Sequence, residues 1–496
     1  MKRMKKRLTA CLLAAICLLS GCGGGQADGQ DERPPDTVKV SGGYFGLAHY
    51  DNGALNPVTE NTAMNRLLCE AMYEGLFEVG ESFTAVPVLC ADYTGDGTTF
   101  TFTLKDGVTF WSGAALTAQD VVSCLEAAQT AEASPYYARM QQVSSIAAVG
   151  DKQVRIVLSS PNINFPRLLD IPIFRAGQNE TFPDGTGPFR PTEESGKWFL
   201  TANENWQGGY LGSIRKIALV TVSRADAAVS SFETGDVSLM RTERISSGST
   251  IISGLVDAVQ TASADLHYLG VNMNHSQLQN AAVRCALSAA IGRKNLCDTQ
   301  LQTFADPAIL PVNPQPSGDN WSLNMQADTE RATALLAEAK LEEPLAITLL
   351  VNSDNAFKTA AADQIAAAWR AIGVQVTVQK VEYSAFTEAV QNGNFDVYYG
   401  ETLLMPDFDL RPLLSSGGAL NYGGYSSAAA DTAMASARRG EDLNALYQQL
   451  LDDMPIIPIA FERQQLVLRQ GLIDSLPAAP YNAFAGVENW RTGENK

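Results

Sequence analysis

The chain has 496 residues, 45% of them hydrophobic and 18% charged, with a formal charge of −18. That composition excludes a disordered chain and supplies more than one small core, so two or three lobes are expected. The acidic balance speaks against nucleic acid or anionic lipid as a partner, and no run after the first 22 residues is apolar enough to cross a bilayer.

The N-terminus reads Met1-Lys2-Arg3-Met4-Lys5-Lys6-Arg7, an apolar run from Leu8 to Leu19, then Leu19-Ser20-Gly21-Cys22. A basic head, a short apolar stretch and small residues before a cleavage point describe an export signal over residues 1–21. The ending resembles the bacterial lipobox, which implies that Cys22 is lipidated and becomes the new N-terminus. The plainer alternative is a secretory signal that contains a cysteine. Gly23-Gly24-Gly25 and polar residues to Pro35 read as a tether, so residues 22–35 would hold a soluble body on the outer face of a bacterial cell membrane. Without the five basic residues of the signal, 31 Lys and Arg face 54 Asp and Glu, a formal −23.

Thr37-Val38-Lys39-Val40 is expected as a first strand and Gly42 to Gly46 as a loop. Asn61 to Leu76 has the spacing of an amphipathic helix, with Leu67, Leu68, Met72 and Leu76 on one side. Phe100, Phe102 and Leu104 alternate with threonines as a half-buried strand, and Lys105-Asp106-Gly107 predicts a hairpin back through Val108-Thr109-Phe110-Trp111. Thr117 and Asp120 are placed as a helix N-cap pair. Val154, Ile156 and Leu158 predict another strand, and Asn280 caps a helix reaching Ile291. Leu345 to Val351, the face Ile365, Ala368, Trp369 and Ile372, and Val374 to Val378 make a βαβ unit with parallel strands. Gly373 is its helix stop.

Cys69, Cys90, Cys124, Cys285 and Cys297 remain after the signal and Cys22, without a CxxC pair. Cys69, Cys124 and Cys285 fall on apolar helix faces, where a small buried hydrophobe is the plainer explanation. His49, His267 and His275 lack metal-ligand spacing, so no metal site, cofactor or catalytic set is expected. Trp111, Trp206 and Trp369 read as structural.

Several segments, in one order along the chain, together resemble the extracellular solute-binding proteins of peptide and nickel ABC importers. They include Met72-Tyr73-Glu74-Gly75-Leu76, the run from Phe100 to Gly113, Leu116 to Val122, Ser134-Pro135-Tyr136-Tyr137 and Gly185-Thr186-Gly187-Pro188-Phe189. Phe232 to Val237, Val283 to Leu287, Asn421 to Tyr425 and Pro455 to Ile459 complete the set. The resemblance implies an α/β, class II periplasmic-binding-protein-like fold, with two large lobes joined by a hinge plus a third smaller lobe. Its expected division is residues 36–57, 160–265 and 465–496 in lobe I, 58–159 in lobe II and 266–464 in lobe III.

The resemblance further implies capture of short peptides in an interlobe cleft by a monomeric receptor. The guest would be delivered to an ABC permease and its ATPase, with membrane contact through the lipid alone. Asp407 is the implied partner of a peptide α-amino group, and Glu401 is the alternative acid. A Trp usually precedes that acid in the family, whereas Thr402, Leu403 and Leu404 stand here. Phe45, Tyr136, Asn421, Tyr422 and Phe461 are further ligand-contact candidates, each also explained by core or turn packing. Nickel chelate, haem or oligosaccharide are alternative guests, and a peptide-pheromone sensor without transport is an alternative role. An enzyme is not expected, because no nucleophile-and-base set or phosphate loop accompanies the paired acids.

Overall fold

The computed structural model describes residues 45–51, 53–177, 181–248, 252, 254–312, 323–474, 479 and 481–491. The signal, Cys22, the tether and the strand expected at Thr37–Val40 lie outside them. Among the described residues the strands form four sheets, of four, seven, two and four strands.

In the first sheet Phe45–His49 pairs in parallel with Lys216–Thr221, which continues antiparallel through Lys197–Ala202 to Phe189–Glu194. Phe45 and Gly46, expected in a loop, belong to this strand, whose five residues are all buried. Gly46 is needed there because a Cβ would stand 1.8 Å from the Asp236 carbonyl oxygen. The helix Ala63–Met72, capped by Thr62, packs its Leu67, Leu68 and Met72 into the core of this sheet. Leu76 lies beyond the helix and joins a different core.

The second four-stranded sheet is antiparallel, in the order Cys90–Gly95, Thr99–Leu104, Gln153–Leu158, Val143–Val149. The hairpin predicted after Leu104 does not form. The 99–104 strand has partners on both edges already, and Thr109 makes only an isolated bridge to Ala115. The helix Ala118–Thr130 starts on the expected capping box, in which Thr117 and Asp120 satisfy each other's backbone N–H groups. Phe165, Leu168 and Ile171 pack into this core. Residues of 63–72 pack into the first core and residues of 165–171 into the second.

The seven-stranded sheet runs Leu239–Glu243, Ile456–Arg469, Val256–Val271, Val397–Leu403, Ala346–Asn352, Gln375–Val381, with Ala305–Pro307 beside the second of these. Alternate residues feed opposite cores. Leu269, Val271, Leu349 and Val397 face one, while Leu266, Tyr268, Leu350 and Tyr398 face the other. A sheet covered on both faces is what the parallel βαβ unit requires, and that unit forms as expected from Ala346–Asn352, Ala356–Ala371 and Gln375–Val381. Gly373 ends its helix at φ 89°. Trp369 is fully buried and donates its indole N–H to the Leu287 carbonyl at 2.8 Å.

Val256–Val271 and Ile456–Arg469 are the longest strands and lie side by side. Their register shifts between Ala262 and Leu266, and again at His267. The expected lobe edges at 265 and 464 fall inside these two continuous strands.

Candidate functional site

A cavity of about 420 Å³ opens where the two four-stranded regions meet the edge of the seven-stranded sheet. Its walls come from the Ala63–Met72 helix, residues 73–88, the 239–243 and 456–469 strands, and the tail around residues 481–488.

Charged residues of both signs line it. Arg241 grips Glu70 with two parallel N–H donors, one of them at 2.7 Å from Oε2, and the same oxygen accepts the Ala483 N–H at 2.8 Å. This knot joins a helix, a strand and the C-terminal tail. Glu78 accepts from Asn482 at 3.2 Å, and Asp170 pairs with Arg139, whose guanidinium lies 5.0 Å from the Tyr136 ring centre. The side chains of Arg66 and Lys105 also face this space and have no hydrogen-bond or ion-pair partner among the described residues.

Glu74 accepts the Trp206 indole N–H at 2.9 Å, yet burial pushes its carboxyl above the usual range. A raised folded-state pKa favours the protonated form, so this group supports folding at low pH and loses that support as pH rises through its folded value. Glu74→Gln keeps an acceptor for Trp206 and removes the charge. The variant should therefore gain stability relative to the parent between pH 4 and pH 8, read from urea midpoints. A constant difference across that range would contradict it.

Of the ligand-contact candidates named from the sequence, Tyr136 lines this chamber and the other six do not. Asp407 instead lines a separate cavity of about 330 Å³ with Asn162, Arg167 and Arg438. Its Oδ2 accepts from Asn162 at 2.8 Å, and burial, with the nearby Asp409, raises its carboxyl pKa. It links the 162 segment to the 407–438 segment and does not line the 420 Å³ chamber. Asp407→Asn should leave the affinities for a free-amine peptide and its acetylated form in an unchanged ratio, measured by calorimetry. A selective loss for the free amine would restore the anchor role.

Glu401 is half-exposed and held by Lys358 at 2.5 Å. Burial opposes its ionisation, but Lys358 and His267 keep its carboxyl below the usual range. Phe45 and Phe461 are buried at 0% and 2% exposure in separate cores, so neither presents a surface to a guest. Asn421 caps its own turn, donating to the Ser415 and Tyr425 carbonyls and accepting the Tyr425 N–H. Tyr422 packs against the core beside Tyr268 and Tyr398, and the gap there, about 10 Å³, is below solute size. Trp206, read as structural, also lines the chamber.

Sequence reasoning missed Arg66, Glu70, Lys105 and Arg241. It also missed a backbone feature. The Val397–Leu403 strand pairs with residues 265–271 along its whole length, but with the Ala346–Asn352 strand only at Val397 and Tyr398. From Tyr399 to Leu403 the outer edge has no register partner among the described residues; Tyr399 and Gly400 are buried there, and Glu401 to Leu403 are reached by solvent. The edge leads to Leu403, which is 57% exposed and lines the chamber. An open strand edge ending at a chamber of mixed charge can hold an extended polar guest.

The chamber is walled by residues of more than one core of the α/β frame. The model of the bacterial extracellular solute-binding proteins, family 5 Middle, matches residues 84–421, and the chain belongs to this family. The oligopeptide-binding protein AppA of Bacillus subtilis is 22% identical across 98% of this chain and 99% of its own length. The nickel-binding periplasmic protein of Escherichia coli is 26% identical across 86% and 90%. Among solved structures, the ABC transporter substrate-binding protein CtaP of Listeria monocytogenes aligns with a TM-score of 0.73 at 19% identity, over 91% of this chain and 99% of that one. AppA in complex with a nonapeptide aligns at 0.60 and 20% identity, over 90% and 99%. The fold is thus the class II periplasmic-binding-protein type, and the family is one of transport receptors rather than enzymes.

Proposed function

We propose that the chain captures short peptides in the 420 Å³ chamber and delivers them to an ABC permease. The observation that carries this reading is the Tyr399–Leu403 edge, without a register partner on its outer side among the described residues, leading to Leu403 in the chamber wall. A peptide adding along that edge gains main-chain hydrogen bonds whatever its side chains, while Arg66 and Lys105 offer a place for its carboxylate. The oligopeptide-binding relative supports this guest class.

The two four-stranded sheets, each with its own core, and the seven-stranded sheet, with a core on either face, act as three lobes, and the paired strands 256–271 and 456–469 are the flexing connection between the two large ones. Closure follows because a guest touching both sides binds the closed form more tightly. Native mass spectrometry of the protein incubated with a tripeptide mixture should show retained peptides. Retention of a nickel chelate and no peptide would move the reading to the chelate class.

The receptor works as a monomer on the outer face of the cell membrane, held by lipid on Cys22. Cys22→Ala should release it from the membrane fraction, and unchanged retention would remove the lipid from the account.

A further inference from the structure

A second polar cluster lies away from the chamber lining, at the register shift between the two long strands. Asp265 and His267 come from the 256–271 strand and Glu462 from the 456–469 strand. Each offers one ligand atom, and these atoms all lie within 4.8 Å of one another. All three residues are buried, His267 and Glu462 completely.

The local hydrogen bonding is short of protons. Asp265 Oδ2 and Glu401 Oε2 each lie 3.1 Å from the Ser246 hydroxyl oxygen, and Glu462 Oε2 lies closer still. One hydroxyl donates to one acceptor, so it cannot satisfy three carboxylate oxygens. Backbone N–H groups of Ile245 and Ser246 serve Glu462, and Lys358 serves Glu401, but no Lys or Arg among the described residues pairs with Asp265. The imidazole of His267 is an independent sign. Its Nε2 points at Glu462 Oε2 from 3.4 Å, long for a hydrogen bond, and its Nδ1 has no partner at all among the described residues.

We infer that Asp265, His267 and Glu462 form a binding site for one divalent first-row transition-metal ion, zinc-like in its ligand preference. Two carboxylates and an imidazole suit such an ion better than magnesium or calcium, which favour all-oxygen shells. Ligands at about 2.1 Å around a tetrahedral ion stand about 3.4 Å apart, so the set needs only modest closure. The ion would enter beside Ser246 and Glu401, the more exposed members of the group. Bound there, it would join both long strands at their irregular step and stiffen the connection between lobes. None of the three residues lines the chamber, although Asp265 and His267 pair in register with Leu403 and Glu401 of the edge offered to a peptide, and the test reads metal and melting with no peptide present.

The test is equilibrium dialysis of chelator-stripped protein against zinc chloride in excess magnesium, with metal counted by mass spectrometry and melting followed in parallel. The wild-type chain should retain one zinc and melt at a higher temperature than the stripped form. Asp265→Asn and His267→Gln should each lose stoichiometric zinc and the metal-dependent rise in melting. Ser246→Ala, which alters the surrounding shell, should weaken zinc on the order of 10-fold. Should one ligand variant fail to fold by circular dichroism, the other carries the comparison. Absence of zinc uptake by the wild type, displacement of zinc by magnesium, or equal uptake by wild type and the folded ligand variants would overturn the site.

Discussion

Arg241→Ala should destabilise the protein by about 3–5 kcal/mol, the range for breaking one side of a buried ion pair. The Arg241 and Glu70 side chains are 18% and 17% exposed, so water reaches them poorly once they separate. Removing the guanidinium leaves the Glu70 carboxylate with the Ala483 N–H as its remaining partner from the knot. The helix, the 239–243 strand and the tail would lose their shared tie, and the chamber would lose part of its wall. Arg241→Lys restores the charge without the parallel pair of donors, so its loss should be smaller but real. Urea unfolding of the three proteins gives the ordering. A loss below about 1 kcal/mol for Arg241→Ala would place the pair with exposed bridges that contribute little.

Arg66→Ser combined with Lys105→Ser should weaken binding of a peptide with a free C-terminal carboxylate by about 10–100-fold. Hydrogen bonds to charged groups contribute about 1.5–3 kcal/mol, and 1.4 kcal/mol is a factor of ten. Neither side chain has a hydrogen-bond or ion-pair partner among the described residues, so folding stability should change little. The control is the same peptide with an amidated C-terminus. It should bind the parent more weakly and be nearly indifferent to the double substitution. Equal weakening of both peptides would show that these cations do not read the carboxylate.

The legible parts of the fold were those whose physics is local. The Thr117–Asp120 capping box and the βαβ unit of 346–381 depend on residues a few positions apart and form as expected. The hairpin after Leu104 failed because the 99–104 strand takes its partners from residues 90–95 and 153–158. A Lys-Asp-Gly turn signal carries no information about that competition. The chamber was illegible for a related reason. Arg241 meets Glu70 across 171 positions, and Ala483 reaches it across 413. Asp407 had the residue type expected of an anchor, but type does not say which of two cavities a side chain enters. Phe45 and Phe461 follow the ordinary rule that a large aromatic on a central strand packs inward. The edge at 399–403 leaves no trace in side-chain pattern, because it depends on where the neighbouring strand stops pairing, at Leu350, although that strand runs on to Asn352.

The most direct measurement is a crystal structure of the protein with a bound tripeptide. The account predicts peptide main-chain atoms hydrogen-bonded to the Tyr399–Leu403 edge, with the guest's carboxylate toward Arg66 and Lys105. A peptide seated around Asp407 instead, or one that leaves the 399–403 backbone untouched, would contradict it.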